Sequence, residues 1–173
     1  MKRTLIFGYG VFSYAVFLVS LLYAVGFLAN FLVPRSIDST PSVATGWALL
    51  IDIGLLSAFA LQHSIMARPA FKRAWTKIVP EAAERSTYVL LSSILLGALC
   101  FFWQPIGGVI WNIEGATARG VAYGMYAAGC LLVLAATFQI NHFDLFGLRQ
   151  VWFALKGEPY KQIPFRKPFL YRQ

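Results

Sequence analysis

Charge is what this sequence has least of. Only 13% of its 173 residues are Asp, Glu, Lys or Arg, against about 25% in an ordinary soluble domain. The 58% that are hydrophobic exceed what one soluble core of this length can hide, so the surplus apolar surface is expected to face lipid. Acidic residues are the scarcer sign: 7 Asp and Glu stand against 15 Lys and Arg, a net charge of +8. The cations sit in short segments flanking uncharged runs. Anionic headgroups and membrane topology account for them, and a nucleic-acid partner is not expected. Cysteine and histidine number two each. Cys100 and Cys130 fall inside apolar runs without C-x-x-C spacing, so both read as core residues and no metal site is expected. A Gly-rich phosphate loop, an H-E-x-x-H pair and a strand-Gly-helix nucleotide fingerprint are all missing. Any cofactor is therefore expected in a membrane-type site.

What is there are long apolar runs. The fold class read from them is all-α: a polytopic membrane protein of about four transmembrane helices plus a cytoplasmic interfacial amphipathic helix. The first run, Leu5 to Pro34, exceeds a hydrocarbon core of roughly 30 Å at 1.5 Å per residue, with Gly8 and Gly10 as candidate weak points for a bend. Its length and the lack of a small-x-small cleavage site make it an anchor and not a signal peptide. The later spans are expected at Trp47 to Met66, Thr87 to Ile106 and Val121 to Ile140. Pro80, followed by Glu81 and Glu84, suits a helix start ahead of the third span. Gly120, Gly124 and Ala128 form a small-x-x-x-small pattern that predicts the fourth helix inside the bundle. Trp103 and Trp111 fit an interfacial belt.

The connector between the second and third spans carries Arg68, Lys72, Arg73, Lys77 and Arg85, whereas the first and third connectors carry Arg35 and Arg119. The positive-inside rule puts the middle connector, and with it both termini, in the cytoplasm of a bacterial-type inner membrane. Within residues 144–155, Leu145, Leu148, Trp152 and Leu155 repeat at helical spacing and Asp144 is placed to cap the first turn. Pro159, Pro164 and Pro168 then discourage further helix. The organisation read from this is a helical bundle with its interfacial helix over residues 1–156 and a basic, Pro-rich cytoplasmic tail over 157–173.

Polar groups at membrane depth are the candidates for chemistry. Gln62, His63 and Ser64 cluster at the end of the second span, and Asn141, His142 and Asp144 at the end of the fourth, both at the same boundary. Each cluster alone equally suits headgroup contact or carbonyl capping; two on one face favour a common mouth. Asp52, inside the second span, is costly there by roughly 2.5–3.5 kcal/mol on insertion scales. It lies about 16 Å along the axis from His63, which favours a packing or water-contact role. Bis-histidine haem ligation by His63 and His142, a non-catalytic membrane scaffold with an unknown protein partner, and a small transporter using Asp52 remain open from the residues alone.

Specific strings narrow this. Phe59 to Arg68, Glu84 to Tyr88, Trp103 to Gly108 and above all Asn141 to Gln150 (Asn-His-Phe-Asp-Leu-Phe-Gly-Leu-Arg-Gln) resemble the methanethiol S-methyltransferases, members of the nurim family of multi-pass membrane proteins, distantly similar to isoprenylcysteine carboxyl methyltransferases. The resemblance implies methyl transfer from S-adenosyl-L-methionine to methanethiol, giving dimethyl sulfide. It further implies roles for His142, His63, Asp144 and Arg149 in catalysis, Gln62 and Asn141 in substrate binding, and Tyr171 and Arg172 at the edge of the cofactor site. In that family the pattern continues past Leu170, Tyr171 and Arg172 into an Arg-His-Pro motif and further helices, so the chain is expected to be C-terminally truncated.

Overall fold

A computed structural model describes residues 2–109 and 111–163. These are helical or connecting, in the order α1 (Lys2–Ala29), α2 (Thr45–Met66), α3 (Pro69–Trp75), α4 (Glu81–Phe102), α5 (Ala116–Ile140), α6 (His142–Leu145) and α7 (Leu148–Lys156). Among them, 4 helices are long and apolar enough to cross a membrane, α1, α2, α4 and α5. The chain is thus a multi-pass membrane protein, as its apolar runs predict. Leu22, Leu50, Val121 and Leu131, each more than half exposed, show the side-chain surface that lipid must cover. α1 begins at the same end of the bundle as the α2–α4 connector with its many cations; this is called the basic end below.

Close packing comes from α1 against α4, with α2 laid on α4 and α7 on both α1 and α4. Serine supplies the close approach. Ser13, Ser20, Ser86 and Ser93 are buried between the helices, and Ser13 and Ser93 return their hydroxyls to the carbonyls of Tyr9 and Val89, four residues back. That satisfies the polar atom without a partner on the other helix and keeps the side chain small. Two apolar cores follow, Phe27, Leu99 and Cys100 towards one end, and Met66, Tyr88 and Val89 with Phe17, Phe71 and Phe146 towards the basic end.

Several boundaries and placements differ from the sequence reading. α1 runs unbroken through Gly8 and Gly10; Gly10 is buried because Val151 of α7 sits against it, so the glycine makes room and does not bend the helix. α4 opens after Pro80 with Glu81 and Glu84 in its first turn, yet stops at Phe102, short of the expected Ile106. Trp103 leaves the helical region, and the next amide, that of Gln104, turns to the Asp52 carboxylate at 2.9 Å.

The fourth spanning helix, α5, is not inside the bundle: none of its residues is buried, and a Cβ at Gly120 or Gly124 would meet nothing within 4 Å. Small residues permit close approach without compelling it. Here Tyr123 and Tyr126 reach across to the carbonyls of Ala29 and Val25, and side chains of that length hold α5 at a wider spacing from α1. Cys130, on α5, is accordingly only half-buried, whereas Cys100 is in the core.

The amphipathic stretch 144–155 is in two pieces. Gly147, at φ 88°, separates α6 from α7, because its backbone presses on Ser86, where any Cβ would come within 2.9 Å of the Ser86 nitrogen. The cap of α6 is Asn141 and not Asp144. The buried residue of α7 is Val151, with Leu148 and Leu155 half-buried around it and Trp152 packed on Phe7.

Candidate functional site

The chain reverses at the basic end of α5 through one residue. Asn141 has φ 128° and ψ 92°, a conformation that costs a non-glycine residue about 1–3 kcal/mol. Its side-chain oxygen accepts from the Asp144 amide at 3.2 Å, which closes α6. The turn carries His142 inward, where 4% of it is exposed. Tyr14 Oη lies 2.7 Å from Nε2, Thr137 Oγ1 lies 2.8 Å from Nδ1, and Phe138 stacks on the ring at 4.4 Å. Burial pushes the imidazole below its ordinary value, favouring the neutral ring.

Beside it, Asp144 is a hub. Its Oδ1 accepts from Tyr160 at 2.8 Å, from Arg149 at 3.4 Å and from Gln150 at 3.5 Å. The 3.4 Å ion pair is long and partly solvated, so it orients Arg149 more than it stabilises the fold. Arg149 is held further by the faces of Phe153 and Tyr160, 5.3 and 5.7 Å from its guanidinium carbon. Burial, then the bond to Asp144, pushes the Tyr160 phenol up to about 12. Gln150 gives its amide to the Asp144 carbonyl, and its own oxygen is buried without a partner.

Gln62 and His63 form a second cluster, on α2 and α4. Tyr88 Oη lies 2.9 Å from His63 Nε2, Ser92 donates to the Gln62 oxygen at 3.1 Å, and the Gln62 amide points at the sulfur of Met66. His63 is exposed, its ring stacked on Phe59. Arg85 joins the clusters: its Nε donates to the Leu145 carbonyl at 2.7 Å while its guanidinium covers the Tyr88 ring. Phe17 and Phe146, stacked at 4.0 Å, fill the space beside them. The structure thus gathers Asn141, His142 and Asp144 in the α6 turn with Arg149 of α7 beside them, and keeps Gln62 and His63 in a neighbouring network. Tyr171 and Arg172 lie outside the described residues. Each histidine has its own tyrosine on Nε2, and both ring nitrogens of the buried His142 are committed to hydroxyls, an arrangement that does not favour a shared haem.

Tyr14, Thr137 and Tyr160 line the candidate site and are not marked by the sequence reading; Tyr88, which ends the Glu84 to Tyr88 string, lines it as well but is given no role there. Gln150 stands within the Asn141 to Gln150 string, but a tyrosine in an apolar run looks the same whether it faces lipid or an imidazole. At the opposite end, Asp52 is buried with one oxygen on the Gln104 amide and the other without a partner. An open cleft of about 1170 Å³ there, walled by Asp38, Trp103, Trp111 and Tyr123, shares no residue with either cluster.

No family model matches the chain, and no solved structure matches it. Curated relatives do. It is 47% identical over 172 residues to a methanethiol S-methyltransferase of Crocosphaera subtropica, covering 99% of this chain and 68% of that protein. Against a methanethiol S-methyltransferase of Mycobacterium tuberculosis the identity is 46% over 172 residues, 99% of this chain and 70% of the relative. Against methanethiol S-methyltransferase 2 of Bradyrhizobium diazoefficiens it is 48% over 170 residues, 98% and 65% respectively. The chain therefore spans about two thirds of the length of the relatives it matches.

Proposed function

Because the chain belongs to the methanethiol S-methyltransferase family, we propose that it transfers a methyl group from S-adenosyl-L-methionine to methanethiol, yielding dimethyl sulfide, at the basic end of its bundle. The observation that carries this reading is the α6 turn, where a strained Asn141 fixes a buried neutral His142 next to the Asp144–Arg149 pair. A free thiol has a pKa near 8.5 or above, so at neutral pH the nucleophile must lose a proton as it attacks, and the site needs a neutral acceptor. A buried imidazole held below its ordinary value is such a group.

S-adenosyl-L-methionine, when bound, supplies an electrophilic methyl carbon. The described residues fit its polar end: Arg149 offers a guanidinium to a carboxylate, Gln150 a buried acceptor without a partner, and Asp144 an oxygen, Oδ2, beside the one its donors already use. Tyr171 and Arg172 extend this set by resemblance. Gln62 and Asn141 are assigned to the substrate side, and His63, through Tyr88 and Arg85, to support of the α6 turn. The apolar walls suit a small thiol that partitions into lipid, and the charged donor enters from the basic end. We assign that end to the cytoplasm, with both termini, in a bacterial-type inner membrane.

The test is headspace gas chromatography of membranes carrying this chain, supplied with methanethiol and S-adenosyl-L-methionine beside an empty-vector control. Dimethyl sulfide above the control is the expected result. Its absence, with the protein shown to be inserted, overturns this activity for the chain and leaves its family membership standing.

A further inference from the structure

We propose that Tyr14 is a catalytic residue of this site: its hydroxyl, and not the imidazole of His142, meets the substrate thiol, and it relays the thiol proton to His142. The inference rests on the methyl-transfer reading above and deepens it. Thr137 has one hydroxyl proton, and its Oγ1 lies 2.6 Å from the Leu134 carbonyl, an acceptor only, so the proton is spent there. Thr137 Oγ1 is then the acceptor in its 2.8 Å bond to His142, and Nδ1 must carry the hydrogen. A neutral imidazole protonated on Nδ1 has its lone pair on Nε2, so Tyr14 is the donor in the 2.7 Å bond. Both ring nitrogens are therefore engaged by protein hydroxyls, and Phe138, Phe143 and Phe146 cover the ring. No lone pair of His142 remains for a substrate.

Tyr14 Oη, by contrast, gives its one hydrogen to Nε2 and accepts no hydrogen bond among the described residues, so an oxygen lone pair is free. Its ring is half-buried, in contact with Phe17 and Phe146, an apolar setting fit for a small thiol. In the step inferred, the thiol S–H bond breaks and its proton goes to Tyr14 Oη as the phenolic proton moves to Nε2. The electron pair left on sulfur forms the new S–C bond, while the pair of the methyl–sulfur bond that breaks stays with the departing sulfide. The imidazolium formed at His142 takes the positive charge that leaves the methyl donor, so the buried site gains no net charge. Charged groups on the elements packed around the ring are committed elsewhere: Arg85 on α4 to the Leu145 carbonyl, Asp144 to Arg149 and Tyr160.

The chain's two histidines make the test tractable. Nitrogen-15 spectra of the full chain in lipid nanodiscs, labelled at histidine and assigned with His63→Asn, read the tautomer directly and need no methyl donor. The expected result is His142 protonated on Nδ1, with its Nε2 resonance moving towards that of a free acceptor in Tyr14→Phe while the His63 signals stay in place as a check on folding. A wild-type ring protonated on Nε2 overturns the relay. In turnover assays, Tyr14→Phe is expected to lower kcat at least about 100-fold with KM little changed, the size of a lost proton-transfer group. Equal kcat in wild type and Tyr14→Phe overturns the relay alone, whereas no product from wild type overturns the methyl-transfer reading and the relay with it.

Discussion

Gly10 on α1 and Val151 on α7 occupy adjoining space so tightly that a Cβ built on Gly10 would lie 2.5 Å and 2.8 Å from the two methyl carbons of Val151. Val151 is fully buried there. This contact, with Phe7 against Trp152, runs α7 along the first turns of α1 and so sets the level at which His142 meets Tyr14.

Gly10→Ala is accordingly expected to cost about 1–3 kcal/mol, the range for overpacking a filled site, and to weaken activity by shifting α7. Val151→Ala in the same chain should recover part of the loss. Thermal unfolding of the four members of this double-mutant cycle in detergent checks it; additive losses would show that the two residues do not share this space.

His142 makes stability fall in acid. Burial lowers its folded value, so the unfolded chain binds the proton first. The contribution is fully present above about 6.5, the ordinary histidine value, and is lost as pH falls from there through the folded value. Melting temperature measured from pH 8 to pH 5 should show that decline in the wild type, with a shallower slope in His142→Gln.

Tyr160 has the opposite sign. Its folded value of about 12 lies above the ordinary 10.0, so its contribution is present below pH 10 and is lost as pH rises towards 12. Tyr160→Phe should remove that part of the alkaline decline. Asp144→Asn, which keeps an acceptor while removing the charge near Arg149, is expected to retain the fold and to lower methyl transfer at least about tenfold, read as headspace product.

Asn141 serves both as a cap and as a residue at positive φ. Glycine relieves the strain and loses only a few tenths of a kcal/mol of capping, whereas alanine keeps the strain and loses the cap, about 1 kcal/mol. Unfolding midpoints should therefore rank Asn141→Gly above Asn141→Ala.

Asp52 is expected to matter for stability and not for turnover. Asp52→Asn keeps an oxygen for the Gln104 amide and should leave both unchanged or raise the melting temperature. Asp52→Leu strands that amide, at a cost of about 1–3 kcal/mol.

The spans were legible because lipid selects for composition over some twenty residues, a signal that survives errors of a turn at each end. The polar strings Gln62–His63 and Asn141–Asp144 were legible for the same reason, as expensive groups at membrane depth. What escaped depends on contacts between distant segments. Gly10 reads as a weak point until Val151, on α7, is brought beside it. Gly120 and Gly124 read as a packing face, although the serines of α1 and α4 make the close contact and α5 is held off by its tyrosines. Tyr14 carries no mark in its own surroundings, because its meaning comes from an imidazole 128 residues away.

α5 has no fully buried residue, and this bears on how the protein is made. The bonds that join α1, α2 and α4, Tyr9 to Thr87, Tyr88 to His63 and the Gln104 amide to Asp52, all lie within the first 104 residues. A chain synthesised from its N-terminus has these partners in hand before α5 leaves the ribosome. The histidine turn comes after, its register fixed when Val151 seats on a glycine that has been waiting since the tenth residue. The histidine-bearing end is thus the final part of the described fold to be assembled, on a platform already built.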